Sequence, residues 1–402
     1  MSYYKKENTK MKKLVISIIL TVIVFPVLAQ NEIENVLREI ESNNKTLHAL
    51  REQSEALKLN NLTGIYLPNP EVEFNYLWGS PSRIGNRNDI NVSQSFDFPT
   101  AYGYRTKIAR LENSNIELIY KSERINMLLR AKEICIDLVY CNALLKEYSG
   151  RLLNAQRIAK TYQVRFEKGD ANILEFNKAQ LNLTTLSNET LRIETERSSL
   201  LSELKTLNGG KEILFAVSDI KYEPLPPDFG EWYVSAEQKS PVLQYLRGQV
   251  EVGQNQVKLN KALVLPRFSA GYMSENVGTE KFRGITMGMS VSLWENKNRV
   301  KKAEAQVKAS EASLEDTKTQ FYNRLQSLFD RSRSLQENAE SYLNAISLFS
   351  NKDLLKKALD SGEISLLNYL LELEYYYETM DKLLETKRDL GHALAELWAI
   401  EL

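Results

Sequence analysis

Nucleophilic, acid–base and metal chemistry have little to work with in this chain. Of its 402 residues only two are histidine and two are cysteine. His48 and His392 sit on helical patterns away from any acid-rich cluster, so neither a catalytic triad nor a metal cage can be assembled around them. Cys135 and Cys141 are six apart in a helical pattern, about 9 Å along the axis by helical rise, too far for a disulfide. They read as small core side chains. No Gly-rich phosphate loop follows a strand. These residues point to no enzyme, no cofactor and no bound metal.

What the sequence repeats is turn and charge chemistry. Arg165-Phe-Glu-Lys-Gly-Asp-Ala-Asn-Ile-Leu-Glu-Phe176 is echoed by Lys357-Ala-Leu-Asp-Ser-Gly-Glu-Ile-Ser-Leu-Leu-Asn-Tyr369. Gly169 pairs with Gly362, Asp170 with Glu363, Asn172 with Ser365, Leu174 with Leu367 and Phe176 with Tyr369. A helix that must reverse needs a residue tolerant of positive φ at its end, and glycine supplies it. An acid just beyond suits the positive N-terminus of the returning helix. Two tight turns between long helices are expected.

The elements that must position these turns are long. Only 17 glycines and 10 prolines interrupt the chain. Leu111, Leu118 and Ile125 are spaced by seven, as are Leu138, Leu145, Leu152, Ala159 and Phe166. Leu186, Ile193, Leu200 and Leu207 continue the spacing after the first turn, and Val300 to Phe349 carries it in the second half. Sustained heptads predict helices packed side by side. A helix of some 65 residues would be about 100 Å long. Before each long helix the period changes to two. Val72, Phe74, Tyr76 and Trp78 alternate with Glu71, Glu73 and Asn75, and Ile90, Val92, Phe96 and Phe98 alternate with Asn91, Ser93, Ser95 and Asp97. Later Ile285, Met287, Met289, Val291 and Leu293 alternate with Thr286, Gly288, Ser290 and Ser292. Two β-hairpins follow, at 70–99 and 266–294.

The order is therefore an internal duplication. Residues 30–210 hold a helix, a hairpin and a long helical pair with its tip at Gly169. A Pro-bearing connector spans 211–230. Residues 231–402 repeat the order with a tip at Gly362. Residues 1–29 read as a signal peptide: Met11-Lys-Lys, an apolar run from Leu14 to Leu28, and Ala29 at the cut, with Met11 the expected start. Gln30 rather than cysteine follows the cut, which argues against lipidation. The 52 basic and 52 acidic residues balance, but this leader holds five lysines and one glutamate, so the remainder carries a net −4. No basic, aromatic-interleaved stripe suggests nucleic acid.

Strands that are apolar on one face and polar on the other cannot form a soluble core alone. Their second face is too polar to bury under a helix without partners. It suits a water-filled lumen, the first suits lipid, and four strands cannot close a barrel without further copies. The doubled order resembles the bacterial outer-membrane efflux protein family typified by TolC. The resemblance is carried by Leu67-Pro68 and Leu265-Pro266 before the hairpins, by Ser93-Gln94 before an aromatic strand end, and by the two Gly turns. It implies a mixed membrane α/β fold: a long coiled-coil-like α-helical barrel in the periplasm, plus four strands per protomer in a trimeric twelve-stranded outer-membrane β-barrel. It further implies a homotrimer embedded in outer-membrane lipid, a periplasmic adaptor protein and an inner-membrane pump.

By position, the resemblance makes Arg165, Gly169, Asp170 and Leu174 adaptor-docking candidates, with Lys357, Gly362, Glu363 and Leu367 in the second repeat. Some members constrict the tip with acids beyond the second glycine. Here Asn368 and Leu371 stand at those places, with Glu372 and Glu374 close by and Glu175 opposite Asn368; Glu175, Asn368, Leu371 and Glu372 are the constriction candidates, and the two aligned positions lack the usual charge. The implied function is the exit duct of a tripartite efflux system for small molecules or metal ions. A short connector and no long C-terminal tail favour a resistance-nodulation-division pump. Type I protein secretion is the alternative within the family. A periplasmic coiled-coil adaptor or scaffold is the alternative from another class, which would show one hairpin rather than two.

Overall fold

A computed structural model of the chain describes residues 25–402 apart from 293 and 350, with residues 25–31 as backbone only. The signal-peptide expectation for residues 1–29 falls almost wholly outside these residues, as does Leu293.

Helix α1 (Phe25–Asn43) and α2 (Lys45–Asn61) replace the single helix expected at the start of the first repeat. The break lies at Asn44, whose Oδ1 accepts from the Leu47 N–H at 2.8 Å while its Nδ2 donates to the Leu207 carbonyl at 2.8 Å. A short amide side chain competes with the helical ladder in this way. Next come β1 (Glu71–Leu77), β2 (Arg87–Phe96), α3 (Pro99–Glu167) and α4 (Ile173–Leu207). The second half gives α5 (Phe229–Lys239), α6 (Pro241–Ala262), β3 (Arg267–Val277) and β4 (Glu280–Ser290). It closes with α7 (Arg299–Phe349), α8 (Lys352–Ser361) and α9 (Leu366–Leu397). Helix α3 runs unbroken for 69 residues, as its Pro-free heptads predict. Its counterpart does not: α7 ends at Phe349 and α8 starts at Lys352, so the heptad position at Phe349 is 72% exposed rather than packed.

The chain divides into two compact units, each drawing on both halves of the sequence. One comprises the described residues up to Leu47 with Arg124–Tyr233 and Asn323–Leu402. Its core gathers Ile33, Ile40, Ile134, Leu138, Ile193 and Leu204 around Cys135. The connector belongs to this core. Ile213 and Phe215 are buried, Leu214 between them is 93% exposed, and the Phe215 and Val217 carbonyls accept from Arg197 and Asn142. A period-two pattern at 213, 215 and 217 carried that signal. Cys135 and Cys141 are free and buried. Burial pushes their thiols up, to about 12 and about 11. Iodoacetamide at pH 8 is accordingly expected to label neither in the folded chain and both after denaturation. Labelling of native protein would contradict this core.

The other unit, His48–Glu123 with Val234–Tyr322, holds the sheet. Its strands lie in the order β1-β2-β3-β4, all antiparallel. Registered rungs keep the faces apart. Val72, Val92, Tyr272 and Ile285 align on one face, and Glu71, Ser93, Gly271 and Thr286 on the other. The apolar face has no cover in a single chain: Val72 is 71% exposed, Ile285 78% and Met287 86%. Both strand turns lie at the end marked by the rung Leu77, Arg87, Val277 and Glu280. At the opposite end the strands join α2, α3, α6 and α7. Among the described residues no helix is long and apolar enough to cross a membrane.

Candidate functional site

Both Gly turns are helix ends of one geometry. Gly169 and Gly362 have φ of 80° and 78°. The Asp170 N–H donates to the Arg165 carbonyl at 2.8 Å and the Gly169 N–H to Phe166 at 3.0 Å. In the second turn Glu363 donates to Ala358 at 2.9 Å and Gly362 to Leu359 at 3.2 Å. These are paired Schellman motifs, which satisfy carbonyls left over at the helix end. The hydrogen bonds place Ala358, rather than Lys357, at the position of Arg165. A Cβ at either glycine would meet nothing within 4 Å, so the requirement for glycine is backbone conformation rather than space.

The acids just after the glycines do not start the returning helices. Asn172 and Ser365 are the N-caps, accepting from the Glu175 and Asn368 N–H groups at 2.9 and 3.2 Å. The first restart is a full capping box, because Glu175 Oε2 accepts from the Asn172 N–H at 3.2 Å. The second is half of one, since Asn368 stands where Glu175 does. Glu175, expected as a constriction candidate, thus spends its carboxylate on its own helix. Asn368, Leu371 and Glu372 are all exposed.

The structure brings the two reversals together in one small core. Ile158, Tyr162 and Ala179 from α3 and α4 pack with Leu366, Tyr369 and Leu373 of α9, and Leu355 and Leu359 of α8 close the cluster. Asn154 Nδ2 donates to the Tyr369 hydroxyl at 3.1 Å, and Arg157 pairs with Asp360 at 3.1 Å. Phe166 stacks on Phe176 with centroids 5.2 Å apart. The Arg165 guanidinium lies over Tyr162, 5.2 Å from the ring centre. Outside this core, Leu174 and Leu367, equivalent in the repeat, are 74% and 51% exposed. Arg165, Asp170, Lys357 and Glu363 are exposed around them. Sequence reasoning missed Ile173, Leu354 and Tyr375, which extend the exposed apolar set.

It also missed an ion pair above the reversals, buried on its arginine side and half-buried at its carboxylate. Arg151, only 4% exposed, forks onto Asp381 with Nη2–Oδ1 2.5 Å and Nη1–Oδ2 2.8 Å. Tyr148 and Tyr377 sandwich the guanidinium, each ring centre 4.4 Å from its carbon. The Tyr148 hydroxyl donates to Asp381 at 3.3 Å, and burial, aided by the Asp381 charge, pushes that phenol up to about 12. The pair ties α3 to α9. His392, expected to lie away from any acid-rich cluster, faces one acid, Asp137, at 2.8 Å between the same two helices. Among the described residues no group of three or more His, Cys, Asp or Glu is placed to hold a metal.

Comparison with known proteins agrees with this fold. No family model matches the sequence. The CmeC outer membrane channel of Campylobacter jejuni superposes with a TM-score of 0.77 at 14% identity, covering 92% of this chain and 85% of that one. The outer membrane protein VceC of Vibrio cholerae gives 0.75 at 13% identity, with 92% and 96% covered. CusC, described for its transmembrane channel formation, gives 0.78 at 14%, with 92% of each chain covered. Among curated proteins, the alkaline protease secretion protein AprF of Pseudomonas aeruginosa is 23% identical over 327 residues. That match takes in 75% of this chain, which spans 66% of the relative's length.

Proposed function

We propose that this chain, which has the fold of outer-membrane channel proteins, is the outer-membrane exit duct of a tripartite export system. The observation that supports it most is the sheet. Four registered strands carry an uncovered apolar face, a polar face, and two edges left open by β1 and β4. Open edges are not tolerated in lipid, so copies must join edge to edge and close a barrel. A homotrimer meets that need, with Glu71, Glu73 and Asn91 toward a wet lumen and Val72, Ile285 and Met287 toward lipid. The helix-bearing end then faces the periplasm and the strand turns face outward. The paired reversals, with Leu174 and Leu367 exposed, are the surface that receives a periplasmic adaptor, and the adaptor links the duct to an inner-membrane pump. Residues 30–210 and 231–402 act as two repeats of that architecture.

Fractionation tests the reading. The chain is expected to sediment with outer membranes, to need detergent for release, and to run as a trimer on unheated gels. A soluble periplasmic monomer would overturn it.

Cargo and pump class divide two versions of this function. A resistance-nodulation-division pump exporting small molecules or metal ions is the first. The likeness to a protease secretion protein over 327 residues favours the second, a type I secretion duct. Deleting the gene separates them: loss of tolerance to toxic small molecules or metals supports the first, and loss of a secreted protein from the medium supports the second.

A further inference from the structure

The two faces of the sheet treat their cations differently. On the polar face Arg87 pairs with Asp89 at 2.9 Å and Glu275 at 3.0 Å. Arg267, at the helix-bearing end of that face, pairs with Asp97 at 2.9 Å. Lys281 and Arg283 of β4 lie on the apolar face instead. Lys281 shares a rung with Tyr76, Asn88 and Asn276, and Arg283 with Phe74, Ile90 and Ser274. Both are exposed, and neither enters an ion pair or hydrogen bond among the described residues. A charged group on a lipid-facing strand is costly unless its head reaches an anion at the membrane surface.

Their level on the strand decides which surface that is. Lys281 is the second residue of β4 and Arg283 the fourth, at the end of the sheet that carries both turns. Trp78, 80% exposed, stands just past β1 at that end and packs edge-on against Tyr76 with centroids 5.5 Å apart. An aromatic pair of this kind marks the boundary between hydrocarbon and headgroups. Two unpaired cations lie on the same face within that band.

We propose that Lys281 and Arg283 form an anionic-lipid site that grips phosphate headgroups of the outer leaflet. The apolar floor of Phe74, Ile90 and Tyr272 receives the acyl chains. Arg283 sits two rungs deeper than Lys281, the next position on the same face, so its longer head can rise along the strand to the level where Lys281 already lies. Charge complementarity selects the lipid: two cations without carboxylates nearby on their face suit a headgroup bearing two phosphates. The inference rests on the proposed membrane orientation.

The test uses full-chain trimers in dodecyl maltoside, titrated with bis-phosphorylated lipid A and, separately, with its monophosphoryl form. Wild type is expected to bind the bis-phosphorylated lipid more tightly. The double variant Lys281→Gln/Arg283→Gln is expected to bind it about 30-fold more weakly, from about 5-fold per interfacial cation. Lys301→Gln/Lys302→Gln, which removes equal charge from the start of α7, is expected to bind as wild type. Equal affinity of wild type for the two lipids, or unchanged binding by the β4 variant, overturns the site. Failure of wild type to form a membrane-inserted trimer overturns the duct reading itself, and this inference with it.

Discussion

Asp381→Ala is expected to destabilise the helical unit by about 3–5 kcal/mol, because it leaves the Arg151 charge buried without its partner. Arg151 has nowhere else to go: its side chain is 3% exposed, and its other acceptor among the described residues is the Tyr377 carbonyl at 3.4 Å. Its two tyrosine neighbours offer ring faces, which favour a cation but do not replace a carboxylate. The loss should appear as faster amide exchange in α3 and α9 around residues 148–157 and 373–381, by roughly two to four orders of magnitude from that energy. Replacing both members, Arg151→Met with Asp381→Leu, is expected to recover most of it, since an apolar pair fills the space without desolvated charge. If Asp381→Ala exchanges like wild type, the fork is a surface pair in solution. If the double replacement is as damaging as the single, the tyrosine-lined site rather than the charge pair sets the stability.

That fork shows where the sequence stops speaking. Helices α3, α4 and α9 were legible because period and punctuation agree: heptads without proline, then Gly169 and Gly362 where positive φ is required. The sheet was legible because alternation in 71–78 and 285–291 fixes faces once one pairing register is set. Pairings across 230 residues carry no such mark. Nothing in Tyr148-Ser-Gly-Arg151 or in Tyr377-Glu-Thr-Met-Asp381 says that the two segments meet. The break at Asn44 and the end of α7 at Phe349 fall on single residues whose side chains compete with, or fail to continue, a helix that the heptad alone would extend. The acids at the turns illustrate a subtler limit. Placing Asp170 and Glu363 at the returning helix was reasonable from the dipole, yet the caps are Asn172 and Ser365, two residues later. Local geometry, set by the Schellman bonds, moved the helix start.

Leu174→Asp combined with Leu367→Asp is expected to abolish export while leaving the trimer assembled. The argument turns on what the two leucines do not touch. They are 74% and 51% exposed, outside the cluster in which Tyr162, Leu366 and Tyr369 hold the reversals together, so their loss should change stability by less than about 0.5 kcal/mol each. The neighbouring glycines cannot make this separation. Gly169→Val or Gly362→Val forces a branched side chain to positive φ, costing roughly 1–3 kcal/mol and disturbing the turn whether or not anything docks there. An aspartate at an exposed apolar anchor acts on the partner alone, because its carboxylate must be desolvated against whatever side chain the leucine would have met. Two buried leucine anchors lost at each of several equivalent tips remove at least 10³-fold in docking affinity, at about 2 kcal/mol apiece. Trimers that resist unheated detergent gels, but no longer co-purify with the cognate adaptor and no longer support export, are the expected result. Full export by the double variant would place adaptor docking elsewhere on the helical unit, and loss of the trimer would make the leucines part of the assembly rather than its docking surface.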